Sequence, residues 1–100
     1  MKLQRVEKRG ATGAGVALDG YVHWCPGCDE AHFIADTWKF DGNMDLPTFT
    51  PSVKLQHGSR GQNGVCHYFL THGELRFCSD STHHLKGCTI PLPDLQEPWA

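Results

Sequence analysis

The stretch VCHYFLTHGELRFCS, residues 65–79, reads as two β-type runs around a glycine turn. With His72 and Gly73 as the two central turn residues, a primed turn fits. Leu70 then faces Leu75, Tyr68 faces Phe77 and Cys66 faces Ser79, all on one apolar face. The other face carries His67 opposite Cys78 and Phe69 opposite Arg76. A three-residue loop would shift this register and turn every side chain over.

Outward from this hairpin the chain keeps the same character. Residues 2–8 alternate weakly through Leu3 and Val6 and read as an edge strand. The GATGAG run at 10–15 reads as a flexible loop, since no Lys-Ser or Lys-Thr follows to make it a phosphate loop. Residues 16–24 read as a strand, and residues 31–40 as the strand that returns. Asp41-Gly42-Asn43 is a turn. LPTFTPS, residues 46–52, is an extended segment that its prolines keep from being a central strand throughout. Residues 57–64 form a polar, Gly-rich loop. DSTHHLKG, residues 80–87, fits a short helical turn capped by Asp80 and ended by Gly87. Residues 89–95 suit an edge strand. The expected fold is mostly β: one small domain over residues 1–100, stapled by zinc, built from antiparallel strands and hairpins with little helix.

The chain has 100 residues, 39% of them hydrophobic, and a formal charge of −2. So small a domain has little stability in reserve and often needs a staple. The charge gives no general case for nucleic acid or an anionic membrane. No apolar run approaches the roughly 18 residues that span a bilayer. The first ten residues lack the apolar region of a secretion signal, so the expected compartment is a reducing bacterial cytoplasm. Five cysteines there read as metal ligands or buried hydrophobes rather than disulfides. Seven histidines accompany them.

The sequence HWCPGCDEAHF, residues 23–33, places Cys25 and Cys28 around a tight Pro-Gly turn between two strands. That is the shape of a zinc knuckle, with both sulfurs aimed at one ion. A redox Cys-x-x-Cys would open a helix, and the residues that follow favour a strand. A structural zinc takes four protein ligands. Strand pairing brings Cys66 near residues 80–83, so Cys66 and His83 are the most economical third and fourth ligands. His67 competes with Cys66, and His32 could replace His83. His23, His57 and His72 read as surface or turn residues, and His84 as solvent-facing. Cys78 and Cys88 read as partly buried fillers. Trp24, Trp38, Phe33, Phe40, Tyr68 and Phe77 read as core, and Trp99 as terminal and loose.

The combination WCPGC…H, W-x-F-x-G, LPTFTPS, VCH-x-F and SDSTH-x-L-x-G resembles a small family of phage and prophage proteins of unknown function. Some members are labelled ammonia monooxygenase, which a chain this short and without an apolar span does not support. The resemblance covers residues 21–95. It carries over Cys25, Cys28, His32, Trp38, Pro47, Thr48, Pro51, Ser52, Cys66, His67, Asp80 and His83, and implies a phage origin but no chemistry. Three functions follow, in order. The first is a zinc-stabilised interaction module with a phage or host protein as partner, in the host cytoplasm or on the virion. The second is a zinc-dependent hydrolase using His67, Asp80 and His83. The third is a nucleic-acid binder using Lys2, Arg5, Lys8, Arg9, Lys54 and Arg60, which the net charge disfavours.

Overall fold

The computed structural model describes residues 2–8, 18–57 and 64–95. The Gly-rich loop expected at 10–15, most of the one expected at 57–64, and Trp99 lie outside these residues. Nine strands are described: β1 (Gln4–Lys8), β2 (Leu18–Cys25), β3 (Glu30–Ala35), β4 (Lys39–Phe40), β5 (Phe49–Thr50), β6 (Val53–His57), β7 (Gly64–Thr71), β8 (Glu74–Phe77) and β9 (Thr89–Pro91). They form three antiparallel sheets, ordered β1-β2-β3, β4-β5 and β6-β7-β8-β9. The expected mostly β class holds. No helix occurs among the described residues, so none is long and apolar enough to cross a membrane.

The hairpin has the expected register. Tyr68 pairs with Phe77, Phe69 with Arg76 and Leu70 with Leu75. Both turn residues have positive φ, 50° at His72 and 76° at Gly73, the primed geometry whose twist matches the strands. Gly73 is needed twice over, because a Cβ there would meet the Leu46 side chain at 2.6 Å. The inward residues Cys66, Tyr68, Leu70, Leu75 and Phe77 are at most 2% exposed. Together with Leu3, Ile34, Phe49, Val53 and Leu92 they make one core joining the sheets.

Three expectations need correction. The strand expected over 31–40 breaks after Ala35, where Trp38 N–H bonds back to the Ala35 carbonyl and closes a turn. The proline segment is extended as expected, holding only the two-residue β5, and it leads into β6, which pairs with β7 along the edge opposite β8. Residues 80–87 are turns rather than a helix. Their last turn does end at Gly87, with φ of 77°, but Asp80 spends its carboxylate on His67 instead of a cap. Cys88 is exposed.

The LPTFTPS segment is tied down at every step. The Pro47 carbonyl accepts from Gly73 N–H at 2.9 Å, and Thr48 Oγ1 from His72 N–H at 2.8 Å. The indole N–H of Trp38 donates to the Pro51 carbonyl at 3.0 Å. The Thr50–Pro51 peptide is cis. These contacts deliver Ser52 to the start of β6 in a fixed position, beside β7.

Candidate metal centre and active site

The Cys25–Cys28 turn brings its two sulfurs toward Cys66 on β7 and His83 from the turns after β8. One ligand atom from each of the four lies within 4.8 Å of the others. Cys25 Sγ is 3.8 Å from Cys66 Sγ, and Cys66 Sγ is 3.5 Å from His83 Nε2. A tetrahedral zinc with Zn–S of about 2.3 Å and Zn–N of about 2.0 Å separates two sulfurs by about 3.8 Å and sulfur from nitrogen by about 3.5 Å. The spacing therefore fits an ion at the centre. Gly27 allows the closure: a Cβ there would meet the His83 ring at 2.4 Å.

The electrostatics agree with this reading. Hydrogen bonds from Cys28 and Cys66 hold the Cys25 thiol far below its usual range. The same contact with Cys25 pushes Cys28 up to about 12 and Cys66 well above its ordinary value. Three buried sulfurs this close cannot all ionise beside one another, whereas a divalent cation between them removes the repulsion. His32 is buried and helps to lower the Cys25 thiol, so it acts on the centre without being one of the four. His67, the other alternate, lies on the opposite face of β7.

His67 belongs to a second constellation. Its Nε2 is 3.1 Å from Ser52 Oγ, and its Nδ1 is 3.0 and 3.1 Å from the two Asp80 carboxylate oxygens. The carboxylate has no proton to give, so Nδ1–H donates to Asp80 and Nε2 is left to accept from the Ser52 hydroxyl. Lys54, paired with His67 across the strands, puts its ammonium 3.7 Å from Asp80. Desolvation opposes ionisation of Asp80, but the His67 hydrogen bond and charge, with Lys54, hold its carboxyl below the usual range. The backbone supports the geometry: Cys78 N–H bonds to the His67 carbonyl at 2.8 Å, and Ser81 Oγ both accepts from His67 N–H and donates to the His67 carbonyl, each at 3.0 Å.

The residues expected at a zinc-dependent active site therefore separate. His67 and Asp80 stay together and gain Ser52, while His83 joins the sulfurs. Ser52 carried no assigned role in the sequence, although it stood among the motif residues with His67 and Asp80. Nothing local marks it. Its meeting with His67 depends on β6 pairing with β7, and that strand was not anticipated. Cys78, read as a filler, is half-buried and lies with His67 and Asp80 in a group whose ligand atoms are within 4.8 Å of one another. His23, read as a surface residue, is fully buried. Its Nδ1–H donates to the Trp24 carbonyl at 3.1 Å, so its Nε2 accepts from the Tyr68 hydroxyl at 2.6 Å.

No curated protein and no solved structure matches the chain significantly. A family match does exist, and its description names a chemistry where the motif resemblance implied none. Ser52 and His67 fall inside the matched span, and Asp80 just beyond it. The match runs over residues 4–78 of the 100, and the chain belongs to the family described as bacterial ubiquitination-like system serine protease (BubE).

Proposed function

We propose that the protein is a serine protease of a ubiquitination-like system, with Ser52 as nucleophile, His67 as general base and Asp80 as the residue that orients His67. The observation that carries this is the unbroken chain Ser52 Oγ, His67 Nε2, His67 Nδ1, Asp80, with every link between 3.0 and 3.1 Å. In such an arrangement the serine oxygen attacks the scissile carbonyl while His67 Nε2 takes its proton. Asp80 stabilises the imidazolium, which then protonates the leaving group. Water repeats the sequence on the acyl-enzyme and returns Ser52 free. A protein partner, expected from the sequence, enters on this reading as the substrate.

The substrate has a surface to lie on. One register step beyond the Val53–Tyr68 pair, Ser52 falls opposite Phe69. Phe69 pairs with Arg76, and Arg76 with Thr89, so the four make one row across the sheet. Phe69, 39% exposed, lines a cavity of about 220 Å3 together with Thr71, His72, Glu74, Arg76 and Thr89. An aromatic lining residue opposite the proposed nucleophile suits a substrate side chain.

The four-residue centre is proposed to hold zinc through Cys25, Cys28, Cys66 and His83. Four protein ligands leave no position for water, so the ion is structural. It ties β7, through Cys66, to the segment bearing Asp80, through His83. It thereby fixes the distance between Asp80 and His67 from the far side of the strand.

Hydrolysis of p-nitrophenyl acetate by the metal-loaded protein tests the assignment. Ser52→Ala and His67→Ala, and Asp80→Asn through the wrong imidazole tautomer, should each lower turnover by roughly 10³-fold or more. Equal activity in Ser52→Ala and wild type contradicts it.

A further inference from the structure

We propose that the active site doubles as an inhibitory site for a borderline-to-soft divalent cation such as zinc or cadmium, held by His67, Asp80 and Cys78. The inference rests on the serine-protease reading of the same histidine and carboxylate. Cys78 is not needed for that chemistry, since neither proton transfer nor acyl transfer passes through it. Yet the register sets it directly beside His67 across the strands, and their backbones are joined by the Cys78 N–H bond. One ligand atom each from His67, Cys78 and Asp80 lies within 4.8 Å of the others. Sulfur, imidazole nitrogen and carboxylate oxygen form a three-ligand set for which zinc is well suited, and solvent completes the tetrahedron. The site is half-open, with Cys78 and His67 partly exposed and Asp80 at 49%. An ion can therefore arrive without unfolding the sheet.

Binding there stops catalysis by tautomer chemistry. An ion on His67 Nδ1 displaces the proton from that nitrogen, and the neutral ring then carries its proton on Nε2. Nε2 becomes a donor facing Ser52, and the hydroxyl has no base. An ion on Nε2 instead occupies the accepting lone pair itself. The Cys78 thiol proton passes to solvent, and Lys54, which is exposed, gives up its contact with Asp80. This ion is separate from the structural one, because Cys66 and His67 point to opposite faces of β7 and share no ligand.

Two readouts on protein already carrying its structural metal test the proposal. The first is ester hydrolysis as zinc chloride is added. The second is the cadmium–thiolate absorption that appears on adding cadmium. Wild type should lose hydrolysis on zinc addition. Cys78→Ser should keep its basal activity and need at least about tenfold more zinc, as loss of a direct ligand should cost no less than loss of an outer-shell partner. The cadmium band of wild type should exceed that of Cys78→Ser. Inhibition and absorption identical in the two proteins overturn the proposal. If neither protein hydrolyses the ester, the protease reading fails, while the cadmium difference still decides whether the site exists.

Discussion

His23 lies fully buried, its ring edge-on to Tyr68 and His32. Burial, with the neighbouring His32, lowers its pKa from 6.5 to about 4. The folded protein keeps His23 neutral where an unfolded chain would protonate it. The stabilising effect of this depressed value is complete above pH 6.5 and is lost as the pH falls toward 4. At about 1.36 kcal/mol per unit the full loss is on the order of 3 kcal/mol. Denaturant unfolding of metal-loaded wild type should therefore show a steeper decline between those pH values than His23→Asn. Parallel curves would show that His23 contributes nothing to the pH dependence. The sequence could not announce this burial. His23 shares its face of β2 with Cys25, and what that face packs against depends on β7, whose Tyr68 supplies the hydroxyl. Ser52 was hidden for the same reason, since its meaning lies in a partner 15 residues away.

Strand β7 carries both chemistries by simple alternation. Cys66, Tyr68 and Leu70 face the core and the sulfur cluster, while His67, Phe69 and Thr71 face the opposite, more exposed side, where the substrate is proposed to lie. A strand can do this because successive side chains point to opposite faces. The apolar alternation and the His-Gly turn made this hairpin readable from residues 65–79 alone, down to its register. The same alternation separated Cys66 from His67 in the sequence, though the role of His67 needed β6 to appear. Substitution should split the two functions cleanly. Cys66→Ser should lose the metal and lower the melting temperature sharply, because metal-binding free energy is folding free energy in so small a domain. His67→Ala should remain folded and metal-loaded and lose hydrolysis. Elemental analysis and thermal melts read both outcomes. A folded, metal-loaded Cys66→Ser beside a metal-free His67→Ala would mean the register is off by one.

At the scale of the whole molecule, one four-stranded sheet separates the proposed metal centre from the proposed Ser52–His67–Asp80 site. The sulfur cluster on the inner side fastens β2, β7 and the turns after β8. The same turns present Asp80 to His67 on the outer side. A small core has little with which to hold such a site rigid, so the proposed metal centre would supply that support. The paired cysteines and the hairpin were legible because each is local. Of the triad, His67 and Asp80 could be grouped because both lie at the mouth of that hairpin, whereas Ser52 could not, because it meets His67 only after β6 pairs with β7. On the proposed reading, in which the metal touches no substrate, chelating it should nevertheless abolish ester hydrolysis. The most direct measurement is labelling with a fluorophosphonate probe, followed by peptide mass mapping, on metal-loaded protein. The account predicts a single adduct on Ser52 that disappears in His67→Ala and after metal removal. Folded, metal-loaded wild type that takes up no probe, or takes it up at another residue with Ser52 unmodified, would contradict it.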